Sequence, residues 1–374
     1  MGSPFRVSSW QLFVLVFFTS FCMTPFGFDA LHTRWNRHMW VPALAQVAVT
    51  LVGSLGVISL LRRFPRQDVF SLAQQVMGPL LGRLYVFALG LYMFLWGPVG
   101  NLNTFVQLVN GTELPRTDPL LIAGFMGAVA MYGAWYGSEV VGRVGELWIW
   151  SLAPFIFLIT LLSYTAGDLH RLLPLTGIPW ERAAEGYFWS FALGIRGFIL
   201  ALAMAGMVGT SRRFHRSIVA GAMLSALAVT LMVMLPHTTF SRETLQMTRF
   251  HFPVIEALSL LDLSAVGLLS TVSLTIIGWT VIAWVVVASS LTLSAYLWAR
   301  VLGIKSFRWL VVPLAVLGVW LSRLPMTTDL MEFFTNLWSG LGYGVGVAGP
   351  WLLLLVARLR GVPAGVGEDG HEPA

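Results

Sequence analysis

Arg196 stands inside the apolar run 188–208, with Gly194 and Gly197 on either side. A cation at bilayer depth costs at least ~2.5–3.5 kcal/mol on insertion scales, so it faces the protein interior, a partner or water. Two glycines within one turn weaken a helix by about 1 kcal/mol each relative to alanine. The sequence therefore predicts a broken helix at Gly194, Ile195, Arg196, Gly197 and Phe198. A guanidinium in such a break has two uses. It pairs with a ligand carboxylate, or it is held structurally, by snorkelling or by an internal acid such as Asp29. The first apolar segment carries a comparable fault at Met23, Thr24, Pro25, Phe26 and Gly27. Proline removes one amide donor and clashes with the preceding turn. If unwound, this segment offers free carbonyls and amides to a small polar ligand; if helical, it is a kink of the kind membrane helices tolerate.

Other polar residues fall at suggestive spacings. Glu139, Arg143 and Glu146 lie at i, i+4 and i+7 and share one helical face. They are candidates for a gate or proton relay, or for an ion-paired helix base. Asn101 and Asn103 follow Trp96, Gly97 and Pro98, and either line a cavity or hydrogen-bond to neighbouring helices. Hydroxyls at Ser270, Thr271, Ser273, Thr275, Ser289, Ser290, Thr292 and Ser294 suit helix packing, with cation or ligand coordination as the sharper alternative. His237 and His251 are read as satisfied surface residues at loop ends. The chain has no glycine-rich phosphate loop, no Cys/His pair at metal spacing and no serine elbow. No catalytic residue, metal or cofactor is expected, and the protein is not read as an enzyme.

The elements that position these residues follow from composition. The chain is 57% hydrophobic and 11% charged, against about 25% charged in a typical soluble protein. Its mean hydropathy is +0.77. The expected class is an all-α polytopic membrane protein in a lipid bilayer. Apolar runs of spanning length number ten, at 9–31, 40–61, 79–109, 119–137, 140–165, 188–209, 215–239, 266–302, 307–323 and 333–358. One set of span ends carries 14 arginines and lysines and the other 8. The positive-inside rule puts the richer set, and with it both termini, in the cytoplasm. The +6 net charge thus reports orientation, and no nucleic-acid partner is expected. The single cysteine, Cys22, permits no intrachain disulfide. Met1 to Ser9 is not read as a signal peptide. Residues 361–374, rich in glycine, proline and acid, read as a disordered tail behind one transporter-like domain, 1–360.

Ten spans divide five plus five, as 9–165 and 188–358, and an odd number per half makes the repeats inverted. The two faulted spans, first and sixth, are then equivalent, and inverted-repeat transporters bind substrate at such broken helices near the midplane.

Short motifs in order along the chain resemble the B subunits of spore germinant receptors (GerAB-like), within the amino acid–polyamine–organocation transporter superfamily. The likeness begins at Ser9-Trp10-Gln11-Leu12 and continues through Trp40, Phe64-Pro65, Phe70 and Gly78. Leu114-Pro115-Arg116-Thr117-Asp118-Pro119 is similar to the family's LP-x-TP loop, with Asp118 inserted. Glu139 with Arg143, Leu173-Pro174-Leu175, Phe252-Pro253, Trp279 and Trp338 match later landmarks. Two departures fall at the breaks. Only Gly27 stands in the first, where members usually have more glycine, and Gly197-Phe198-Ile199 lacks the glutamate that many members carry.

The resemblance implies a LeuT-like five-plus-five fold. It also implies a germinant-sensing subunit of the spore inner membrane, binding a small nutrient, an amino acid first among candidates. The partners it implies are an A-type membrane subunit and a C-type lipoprotein. The ligand-binding set is Met23 to Gly27, Trp96, Asn101 and Gly194 to Phe198, with Glu139, Arg143 and Glu146 as gate or ion pair. The alternatives are a proton- or cation-coupled amino acid permease, and a structural subunit with a vestigial site.

Overall fold

A computed structural model describes residues 7–22, 32, 34–173, 176–194, 196–209, 211–247, 253–261, 270–324 and 328–364. Met23 to Gly27, Asp29, Ile195, His251 and the tail from 365 lie outside the described residues. Regular structure among the described residues is helical throughout. Among the described residues seven helices are long and apolar enough to cross a membrane: Asn36–Arg63, Pro79–Thr112, Pro119–Tyr136, Ser138–Ala166, Arg212–Thr239, Thr271–Leu302 and Asn336–Leu359. They are the second, third, fourth, fifth, seventh, eighth and tenth spans. Shorter apolar helices, Ser9–Phe21 and Arg308–Ser322, are the first and ninth. The sixth is two half-helices, Gly186–Ala192 and Gly197–Ala203.

Local chemistry sets the ends. Ser8 and Gln11 form a reciprocal capping box at the start of the first span: each side chain accepts from the other's backbone amide. Asp118 accepts from the Leu120 amide at 2.8 Å, and Pro119, which needs no donor there, opens the fourth span. The fourth and fifth spans are joined by Gly137 alone, at φ +95°, a conformation that disfavours side-chain-bearing residues. The third span is not the uninterrupted α-helix its hydropathy suggests. Leu95–Asn101 is π-helical around Pro98, which lacks the amide an α-turn needs there. The tenth span likewise carries a π segment, Gly342–Ala348.

Two groups of helices result. The first, second, sixth and seventh spans pack on one another, and the third, fourth, eighth and ninth do the same. The fifth span lies against the first and eighth, while the tenth closes over the second and sixth. The first and sixth spans meet most closely at Gly197. A Cβ there would fall 2.3 Å from the Val16 carbonyl oxygen and 2.5 Å from Ser20 Oγ. Because the nearer obstacle is backbone, it cannot rotate away. Gly197→Ala should therefore destabilise the fold by about 1–3 kcal/mol, the usual cost of overpacking. Thermal unfolding in detergent, followed by circular dichroism, reads this as a lowered midpoint; an unchanged midpoint would contradict the close packing.

Candidate functional site

At the end of Gly186–Ala192 the Trp189 carbonyl accepts from the Leu193 amide at 3.0 Å and the Phe191 carbonyl from the Gly194 amide at 2.7 Å, while no backbone amide among the described residues serves the Ser190 and Leu193 carbonyls. At membrane depth each must be satisfied by the protein. Gln46 Nε2 of the second span donates to the Phe191 carbonyl at 3.0 Å. Tyr343 of the tenth donates its hydroxyl to the Trp189 carbonyl at 2.9 Å. Arg196 supplies the rest: Nε donates to the Leu193 carbonyl at 2.8 Å, and Nη2 reaches the Ser190 carbonyl at 3.4 Å. A cation at a helix C-terminus also meets the negative end of the helix dipole. Beyond the break, the Gly197 amide donates to Ser20 Oγ of the first span at 2.9 Å. That amide heads the second half-helix, where a ligand carboxylate was an obvious candidate partner, and the protein's own hydroxyl already occupies it.

Arg196 is 1% exposed. Its guanidinium carbon lies 3.6 Å from the centroid of the Trp96 ring, on the π segment of the third span. The Tyr92 and Tyr343 hydroxyls are near enough to interact with it electrostatically. Among the described residues no carboxylate forms an ion pair with it, and Nη1 has no hydrogen-bond partner. It does not snorkel.

Other orphaned polar atoms surround this pair. Tyr92 Oη, Trp96 Nε1, Asn101 Oδ1, Ser290 Oγ and Trp338 Nε1 are buried without a partner among the described residues. The elements interlock there. Trp338 of the tenth span meets Trp96 edge-on, with centroids 6.3 Å apart. Ser290 of the eighth packs directly against Gly97. Asn101 donates Nδ2 to the Trp96 carbonyl at 2.6 Å across the π turn. Donors and acceptors are both present, beside two indoles and one cation: a set suited to a compact ligand carrying an anionic group, a second polar group and an apolar part.

The remaining sequence candidates divide. Gly194 and Gly197 sit in the break beside Arg196, Trp96 stacks on the guanidinium and Asn101 bonds to the Trp96 carbonyl, whereas the Phe198 ring packs against Gly53 of the second span. Asn103 is an interhelical tie, donating to the Ser322 carbonyl of the ninth span at 2.6 Å. Arg143 pairs with Glu139 at 2.6 Å, with the arginine side chain 68% exposed, a geometry usually worth under about 1 kcal/mol. Glu146 departs from that trio and accepts from Gln11 of the first span at 3.3 Å. Four of the eight candidate eighth-span hydroxyls, Thr275, Ser289, Thr292 and Ser294, bond back to carbonyls about one turn earlier. His237 is not a surface residue: it is 2% exposed, with Nε2 2.9 Å from His32 Nδ1. Its position at the end of a span hid this, because the loops that cover it are distant in sequence. Sequence reasoning also passed over Tyr92, Tyr343 and Gln46. Only the glycine alternation at Gly342, Gly344 and Gly346 signalled a special backbone near Tyr343.

Among the described residues no three His, Cys, Asp or Glu side chains gather as a metal site requires. The family model for spore germination proteins matches residues 6–329, and the chain belongs to that family. No curated protein is detectably similar in sequence. Among solved structures the chain is similar to MhsT, crystallised in complex with L-phenylalanine, at 12% identity and a TM-score of 0.62. That likeness covers 95% of this chain and 99% of the other. It is also similar to Mhp1, a nucleobase-cation-symport-1 family transporter in a closed conformation with bromovinylhydantoin bound, at 16% identity and a TM-score of 0.63. Here the coverage is 96% and 82%. At such identities the likeness establishes the fold, the LeuT-like five-plus-five arrangement with a broken sixth helix. Neither the family nor the fold neighbours are enzymes.

The stacking of Arg196 on Trp96 is a cation–π contact in a desolvated site, worth about 2 kcal/mol. Trp96→Leu should lose that amount and Trp96→Phe should keep most of it. The difference is measurable as two thermal midpoints, and equal midpoints would show the contact to be energetically idle.

Proposed function

We propose that this member of the spore germination protein family is a membrane-embedded nutrient sensor. It binds a small carboxylate-bearing molecule, an amino acid first among candidates, between its third, sixth, eighth and tenth spans. One observation carries the proposal: a guanidinium 1% exposed, with one nitrogen unpartnered and no carboxylate paired to it among the described residues. An unpaired buried ion costs several kcal/mol. The Trp96 ring, the half-helix C-terminus and two carbonyls offset that cost, at about 2 kcal/mol or less for each of the first two and ~1.5–3 for each charged hydrogen bond. The empty site is thereby tolerable while one donor stays available. A ligand carboxylate takes Arg196 Nη1; Asn101 Oδ1, an acceptor without a partner, takes an ammonium. Trp96 and Trp338 cover the apolar part. Met23 to Gly27 and Ile195, outside the described residues, stay in the proposed ligand-binding set on sequence grounds alone.

Sensing requires only that the ligand favour one of two conformations, since equal affinity for both would shift nothing. The shift passes to an A-type membrane subunit and a C-type lipoprotein in the spore inner membrane. Both termini are cytoplasmic, as the arginine bias dictates. The transporter fold favours a second reading, a coupled amino acid permease using the same site. Robust radiolabelled uptake into proteoliposomes by the isolated chain would establish that reading and defeat a pure sensor.

A panel of L-amino acids, each paired with its decarboxylated amine, tests the site by thermal shift. A binding amino acid at 100 times its Kd should stabilise the purified protein by about 2.7 kcal/mol, and its amine should not. Arg196→Gln keeps a side-chain donor for the Leu193 carbonyl but gives up the Trp96 contact together with the buried charge, so its response is read against its own ligand-free midpoint, and that response should be lost. An unchanged response would remove Arg196 from the site.

A further inference from the structure

A second polar cavity, of about 430 Å³, opens where the second span begins and the seventh ends. It shares no lining residue with the Arg196 group. Its wall carries Arg34, Arg37, Arg171 and Arg182, together with Trp35 and His237. The opposing charge is small. Glu185 is engaged by Arg34 at 2.6 Å. Arg171 donates to the Thr239 carbonyl and Arg182 to the Arg34 carbonyl, so those two are held in place by backbone and neutralised by nothing they touch. Arg37 makes no hydrogen bond or ion pair with any described residue.

The buried part of the wall points to the same kind of ligand. Trp35 is 1% exposed and its Nε1, a donor only, has no partner. His237 is 2% exposed; Nε2 contacts His32 Nδ1, and Nδ1 has no partner. When His32 Nδ1–H donates across that contact, His237 Nδ1 carries a hydrogen and becomes a further donor. The Trp35 indole donor and four guanidinium groups, with no Asp or Glu among the lining residues, leave donors in excess of acceptors. Arginine forks match the oxygens of phosphate.

We propose that this cavity is a second ligand site, which takes a phosphate group carried on a small organic body. Two sources share that chemistry: a soluble phosphate ester, and the head group of an anionic phospholipid, whose phosphate sits at the depth of span ends. The volume is larger than a bare phosphate needs, which favours an ester over the inorganic ion.

Purified full-length chain, in nanodiscs of neutral lipid, is titrated with glycerol 3-phosphate while thermal stability is followed. A separate series replaces part of the neutral lipid with phosphatidylglycerol. Stabilisation in the first series assigns a soluble ester and stabilisation in the second a lipid. In either case Arg37→Gln and Arg171→Gln should weaken the effect at least tenfold, with ligand-free midpoints near that of the wild type. Arg196→Gln should leave it intact. Two results overturn the proposal: stabilisation by neither probe, or an effect that survives in both outer variants. Loss in Arg196→Gln alone would place the phosphate in the central site and overturn it equally. If Arg37→Gln does not fold, Arg171→Gln carries the test.

Discussion

Hydrocarbon offers no hydrogen bonds, so a helix broken inside it must find partners for every carbonyl and amide the break releases. Much of the central architecture follows from that demand. Gln46, Arg196 and Tyr343, on three different spans, converge on the end of one seven-residue half-helix. Ser20 serves the start of the next. The carbonyls draw the second and tenth spans inward, and the amide draws in the first. These bonds fasten the first, second and tenth spans to the break.

Using an arginine for part of this duty has a particular electrostatic result. A neutral side chain would satisfy the Leu193 carbonyl as well. A guanidinium brings five donors and a permanent charge, more than two carbonyls consume. The surplus is managed by a π face and a helix dipole, neither of which cancels a full charge. The surroundings of Arg196 therefore hold a positive potential. Tyr92 and Tyr343 add hydroxyls within its influence without adding an anion.

The spans and the sixth-helix break were legible because both depend on local composition: apolar length for the first, glycine flanking a charge for the second. The π segments were not, since shifting a helix from i+4 to i+5 bonding leaves hydropathy unchanged. Gly97-Pro98 and the Gly342 to Gly346 alternation were the visible traces. Helical spacing put Glu139, Arg143 and Glu146 on one face, and it could not show that Gln11 would claim Glu146. Tyr92, Ser290, Gln46 and Trp338 gather around the break from the third, eighth, second and tenth spans, a coincidence of tertiary packing that no single segment announces. The masking of His237 by loops remote in sequence has the same origin.

Gly137 joins the fourth span to the fifth with no loop between them. Two rods sharing one residue have no slack, so relative motion between them is a rotation about that residue's two backbone angles. The fifth span is 26 residues, a lever of about 39 Å at 1.5 Å per residue, so a turn of about 10° at Gly137 sweeps its far end through about 7 Å. That span meets the first at Gly142, Gly145 and Trp150, 5 to 13 residues from the joint, so the same turn moves those contacts by about 1–3 Å and the far end by more. Amplification of this kind needs no flexible linker, only a stiff arm and a single free joint.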